Sequence, residues 1–134
     1  MKKLILIILL YSSNSNGQYI FTKIWDKTLG GNQNESNLLF PGSLRSYEQN
    51  DGNLLICGNS TSNVSGEKSQ SCFGQNDVWM VLINNNGQKI WDRDYGGFGY
   101  DVFADLTLTN NNRHLLTISS ASFQNQPQVI SIAL

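Results

Sequence analysis

Charge is scarce in this chain. Only 14% of its 134 residues are Asp, Glu, Lys or Arg, where about a quarter is usual for a globular protein. The formal net charge is −1, so no basic field draws nucleic acid or anionic lipid, and there is no acidic tail. Histidine occurs once, at His114, and cysteine twice, at Cys57 and Cys72; that set does not suffice for a zinc site. The Gly96-Gly97-Phe98-Gly99 run lacks the Lys-Ser/Thr pair and the helix of a phosphate loop. No window carries a helical 3.6-residue period of any length. What remains is aromatic and β-branched sequence broken by Asn, Ser and Gly, which argues for a folded, turn-rich β chain and against disorder.

Long apolar runs are also missing. Leu4 to Tyr11 is a run of eight, short of the about 20 residues of a transmembrane helix. Lys2 and Lys3 precede it, Ser12 to Asn16 are small and polar, and Ser15 and Gly17 stand at −3 and −1 of a cut before Gln18. Residues 1–17 therefore read as a secretory signal peptide outside the mature fold. No Cys follows the run, so a lipoprotein anchor is not expected. In an exported chain, Cys57 and Cys72 either form a disulfide closing a loop of about 15 residues or are a buried strand cysteine and an unrelated loop cysteine.

The chain is organised by a tandem repeat. Lys23-Ile24-Trp25-Asp26-Lys27-Thr28-Leu29-Gly30-Gly31 returns 66 residues later as Lys89-Ile90-Trp91-Asp92-Arg93-Asp94-Tyr95-Gly96-Gly97. Between the copies the pattern predicts strands at 44–49, 54–58 and 77–83, with hairpin turns at Asn50-Asp51-Gly52-Asn53 and Asn84-Asn85-Asn86-Gly87. After the second copy it predicts 102–109, 114–120 and 129–134, with His114–Ser120 set over Asn53–Asn59. Val102, Ala104, Leu106 and Leu108 are expected on one face, with Phe103 on the other.

The expected fold is all-β: two four-stranded antiparallel meander blades of a partial β-propeller-like array. Residues 18–31 form an orphan Trp-Asp strand, 32–97 a first blade, and 98–134 a second, incomplete blade that the orphan strand is placed to complete. Apolar residues at consecutive positions in 54–57 and 78–83 predict a sheet buried on both faces. Two blades cannot close a ring, so either the chain is a fragment, or the blades pack as a minimal sandwich, or several chains share one ring.

Trp25 to Gly31, Asp51 to Gly58, Ser65-Gly66-Glu67-Lys68, Asp77 to Ile83 and Asn86 to Asp92 together resemble a known pattern. It is that of the propeller-like repeats of exported Bacteroidetes proteins, which often end in a type IX secretion sorting domain. The resemblance covers the first repeat nearly throughout and the second chiefly at Trp91 to Gly97. It implies secretion, a Gram-negative cell surface and ligand binding, and no particular chemistry.

Trp25, Asp26, Gly30, Gly31, Trp91, Asp92, Gly96 and Gly97 are expected to be the structural signature of the repeat, with the tryptophans packing between blades. His114 is expected at a solvent edge rather than as a catalytic base. No catalytic residue, metal ligand or cofactor is assigned. The expected function is an exported, noncatalytic module that binds a protein or glycan through the loops at 32–43, 59–76 and 121–127, with no membrane span in the mature chain. Homo-oligomerisation, or further repeats in a longer chain, would supply the missing blades. The alternatives are a fragment of a secreted carbohydrate-active or other hydrolytic propeller, and a degenerate remnant.

Overall fold

The computed structural model describes residues 5–15, 17–35, 44–111, 113–122 and 128–132. Their regular structure is all β, antiparallel, in three sheets. Strand β1 (Ile5–Ser15) turns at Gly17, whose φ of 78° suits glycine, into β2 (Gln18–Leu29). Strands β3 (Arg45–Glu48), β4 (Leu54–Ser60), β5 (Asp77–Ile83) and β6 (Lys89–Tyr95) form a four-stranded meander in sequence order. Strands β7 (Asp101–Leu108), β8 (His114–Ser120) and β9 (Gln128–Ile132) form a three-stranded meander. Among the described residues no helix is long and apolar enough to cross a membrane.

Local chemistry explains the hairpins. The Asp51 carboxylate accepts from the Asn53 amide at 3.0 Å, and the Asn84 side-chain oxygen accepts from the Asn86 and Gln88 amides at 3.0 and 2.9 Å. Both are side-chain substitutes for a backbone turn bond, a role in which Asn and Asp excel. Each turn then sets the register of the strands it joins, Glu48 opposite Leu54 and Ile83 opposite Lys89.

The two central strands of the four-stranded sheet, β4 and β5, are buried on both faces, as their consecutive apolar residues predict. Leu55, Cys57, Val78, Met80 and Leu82 pack against Phe103, Leu116 and Ile118 of the three-stranded sheet. On the opposite face Ile56, Trp79, Val81 and Ile83 pack with Leu29, and Trp25 and Leu54 lie beside them. The molecule is thus layered, with β2 on one side of the middle sheet and β7–β8 on the other.

That layering corrects several expectations. The strand at 18–31 is neither an orphan nor the last strand of the sheet at 101–132. It pairs with Ile5–Ser15 along its whole length, and the middle sheet stands between it and β7–β8. That partner strand, Ile5–Ser15, lies within the segment expected to be removed on export, so the pairing belongs to the uncleaved chain. The second repeat also sits one residue away from its expected register. Leu116 and Ile118 face the preceding layer as Ile56 does, so His114 takes the place of Leu54. A slip of one residue exchanges the faces of a strand, and burial selects the register. In β7 a bulge at Ala104 interrupts the alternation: Phe103 pairs with Ile118, and Asp105 with the very next residue, Thr117. Phe103 and Leu106 therefore both turn inward.

Trp25 ties the first layer to the second. Its indole Nε1 donates to Asn85 O at 2.7 Å, and its ring covers Gly87, whose φ is 76°. A Cβ on Gly87 would meet that ring at 3.0 Å. Gly87→Ala is therefore expected to lose more stability than the about 1–2 kcal/mol of the left-handed conformation alone. In a Trp25→Ala background its cost should fall to that value, as measured by urea unfolding.

Candidate functional site

The two Gly-Gly corners are built alike. The Gly31 amide donates to Glu35 Oε1 at 2.6 Å, and the Gly97 amide to Asp101 Oδ2 at 2.7 Å. Each carboxylate oxygen also takes a serine hydroxyl at 2.6 Å, from Ser62 and from Ser122. Those hydroxyls accept in turn from Gln33 N and Gly99 N, both at 2.9 Å. The serine amides donate to Ser60 Oγ and Ser120 Oγ, both at 3.1 Å. Backbone bonds Thr61 N to Asn34 O and Ala121 N to Tyr100 O close each corner. Gly31 has no room for a side chain, since a Cβ would lie 2.5 Å from Ser62 Cβ. Glu35 and Asp101 are fully buried, and each leaves its second oxygen without a partner among the described residues.

Between the corners, the loop from 61 to 76 lies against the signature strands. Glu67 N donates to Gly30 O at 3.1 Å and its carboxylate meets Lys27 at 3.2 Å. Lys68 turns inward: its ammonium bonds both oxygens of Asp94, both side chains are fully buried, and it lies 5.5 Å from the centroid of the Trp79 ring. Burial pushes the Asp94 carboxyl up to about 6 against the pull of Lys68. Asp92 accepts from Lys89 at 2.6 Å, from the Ser69 amide and hydroxyl, and from the Trp79 indole at 3.1 Å. Burial raises its pKa, but these donors outweigh burial and hold it below the usual carboxylate range. Asp77 is raised, first by burial and, after the opposing pull of the Phe73 amide, by Asp101.

Of the signature residues, Asp92, Gly96 and Gly97 stand beside this cluster, whereas Trp91 packs on the other face of the sheet with Leu82 and Phe103; Gly30 and Gly31 form the corner one layer back, and Trp25 lies over Gly87. Asp92 is a buried acceptor, and its counterpart Asp26 is exposed, with Lys23 at 2.8 Å. Arg93 lies 5.8 Å from the Trp91 ring centroid.

Cys57 and Cys72 are both free thiols, so the disulfide is not formed. Cys57 points into the layer between the sheets, whereas the Cys72 thiol lies past the end of β4 and donates to Ser60 O at 2.9 Å. Burial pushes both up, to about 12 and about 11, which leaves them un-ionised and weak as nucleophiles.

His114 is buried rather than at a solvent edge. Only 3% of it is exposed, neither ring nitrogen has a partner among the described residues, and Tyr47 meets it edge-on at 5.1 Å. Burial lowers its pKa, so the imidazole is neutral. With Tyr47, Gln49, Asn50 and Leu108 it lines a cavity of about 70 Å³, room for a few water molecules.

The chain matches no family model, no curated protein and no solved structure. Function must therefore be argued from the geometry. Sequence reading missed Glu35, Asp101, Ser62 and Ser122. Carrying the 66-residue offset four positions past Gly31 and Gly97 pairs Glu35 with Asp101, and Ser60-Thr61-Ser62 matches Ser120-Ala121-Ser122. No such signal exists for Lys68 with Asp94.

The buried pair yields a sharp expectation. Lys68→Met leaves Asp94 uncompensated and should cost about 3–5 kcal/mol in urea unfolding, most of it recovered in Lys68→Met/Asp94→Leu. Equal loss in the single and double variants would show that Lys68 acts through packing alone.

Proposed function

We propose that this chain is an exported, noncatalytic β-repeat module of a secreted or cell-surface protein, and that it binds a protein or glycan through one rim of its layers. The observation that carries the reading is a set of exposed aromatic side chains on that rim: Phe73, Phe98, which is 92% exposed, and Tyr100. Their loops are bound together. Gln75 N donates to Gly99 O at 3.2 Å, Asn76 bridges Tyr100, and Gly74 abuts the carbonyls of Gly97 and Gly99. Large aromatics held out in water by a braced backbone are the kind of anchor on which binding energy concentrates. The rest of the 61–76 loop and residues 121–122 flank them. Residues 36–43 and 123–127, parts of the other two expected binding loops, lie outside the described residues.

Export is supported by Lys2, Lys3 and the apolar run after them. Cleavage before Gln18 removes β1 and frees the edge of β2 that β1 covers. The middle sheet, covered on both faces and entered and left by equivalent corners, supports reading the two meanders as neighbouring propeller-like blades, with further blades from a second copy or from additional repeats.

Expression in a Gram-negative host with type IX secretion tests both halves. The protein is expected in the medium or on the cell surface with Gln18 as its first residue, and it should adhere to intact cells or to arrayed glycans. Phe98→Ala/Tyr100→Ala should weaken adhesion about tenfold, the loss of roughly 1.4 kcal/mol, with an unchanged circular dichroism spectrum. Intracellular protein retaining Met1 would contradict export, and undiminished adhesion would contradict the rim.

A further inference from the structure

Two strands carry the Trp-Asp signature, and both are paired in the same way. In the middle sheet Leu82 lies opposite Trp91, the register then slips past Ile90, and Ile83 meets Lys89. One repeat earlier Leu9 lies opposite Trp25, the register slips past Ile24, and Leu10 meets Lys23. The match continues away from the bulge, with Val78 opposite Tyr95 and Ile5 opposite Leu29. At the 66-residue offset, all six pairs of β5 with β6 have their counterpart in β1 with β2. Ile5 to Leu10 is also apolar at every position, as Val78 to Ile83 is. In register and bulge, β1 stands to β2 as β5 stands to β6. It fills the place of the third strand of a meander.

The third strand of the second meander is the reverse case. Strand β9 pairs with β8 as β5 pairs with β4, with Ile132 opposite His114 where Ile83 is opposite Leu54. Strand β5 also has a signature strand, β6, along its other edge, whereas among the described residues β9 has none. Within one chain β2 cannot supply it, since the middle sheet stands between β2 and β7–β8. A bare strand edge presents a row of unmet N–H and C=O groups, a template for another strand. Without β1, β2 lacks a third strand and β9 lacks a signature strand. The edge strands β3 and β7 are first strands of their meanders, and neither pairs with a signature strand.

We propose that, once β1 is removed, β2 of one copy adds antiparallel to β9 of a second copy, so that the shortened chains join head to tail. The inference rests on the export reading for the removal of β1, and it makes β1 a placeholder that keeps the uncleaved chain from assembling. The register follows from the middle sheet. With His114 in the place of Leu54, Ser131 takes the place of Leu82 and Gln128 that of Trp79, which sets Ser131 opposite Trp25 and Gln128 opposite Thr28. The contact is heterologous, so it closes into a ring where the rotation allows and otherwise runs on as a filament.

The test uses the full chain with a protease recognition sequence inserted at Gly17, a turn where an added Cβ meets nothing within 4 Å and an insertion is tolerated. Light scattering should give a monomer before the cut. After the cut, with the β1 peptide removed, it should give species of two or more chains that grow with concentration. Excess peptide carrying the sequence Ile5–Ser15 should return them to monomers. Cut Thr28→Cys protein mixed with cut Gln128→Cys protein should be joined by a short bismaleimide between positions 28 and 128, as mapped by peptide mass spectrometry. Glu48→Cys, on the edge strand β3, should not be joined to position 28. A cut chain that stays monomeric, folded or not, would overturn the proposal. So would linkage of position 28 to 48 as readily as to 128, or equal assembly of the uncut chain. The cut is made in vitro, so these results stand apart from export, which the first residue of the secreted protein decides.

Discussion

Strand β5 has no side that faces water. All its residues are buried, as are all but the first of β4, so the middle sheet needs a cover on both faces. Each large apolar side chain shielded in this way contributes roughly 1.5–3 kcal/mol. Leu29 and Trp25 of β2 supply one cover; Phe103, Leu116 and Ile118 supply the other. The chain must then pass from layer to layer twice, and it makes both passages at a Gly-Gly corner. At each, one carboxylate oxygen gathers a glycine amide and a serine hydroxyl.

The polar groups inside the layers follow from this stacking. Asn59 sits at the end of β4, and its side chain donates to Asp101 O at 2.9 Å and accepts from Phe103 N at 3.2 Å, joining β4 to β7 through buried bonds. The buried Lys68–Asp94 pair, with the bonds from Ser69 to Asp92 and from Lys89 to Glu67 O, holds the 61–76 loop to β6. Such pairs add little net stability once desolvation is counted, but their misplacement is costly. Their effect is to select one path for a loop whose sequence, rich in Ser and Asn, has little apolar content to select it. The rim aromatics depend on that path.

The strands and their meander order were legible from residue type alone. Apolar runs at 77–83, the Asp51-Gly52 and Asn84–Gly87 turns, and the returning Trp-Asp signature placed most elements within a residue or two. Burial on both faces was legible too, because Val78-Trp79-Met80-Val81-Leu82 leaves no polar face. Register in the second repeat was not, since Leu115-Leu116 fits over Leu54-Leu55 as well as Leu116 fits Ile56 until the facing layer is known. The Ala104 bulge and the burial of His114 are likewise tertiary facts. The partner of β2 could not be read either: β-strand pairing is non-local, and Ile5–Ser15 offers the same apolar edge whether it is a leader or a strand. The corner was half legible, with Glu35 and Asp101 on the repeat offset but their serines displaced from it by the shorter second repeat.

The central claim is that the two corners are one device used twice. Amide hydrogen exchange measured by NMR tests it directly, because Gly31, Gln33, Gly97 and Gly99 lie outside the regular strands yet donate to Glu35, Ser62, Asp101 and Ser122. The account predicts that all four exchange slowly, as strand amides do, and that Ser62→Ala and Ser122→Ala each release the pair in their own corner. Rapid exchange at Gly31 and Gln33, or at Gly97 and Gly99, in the unsubstituted chain would contradict it.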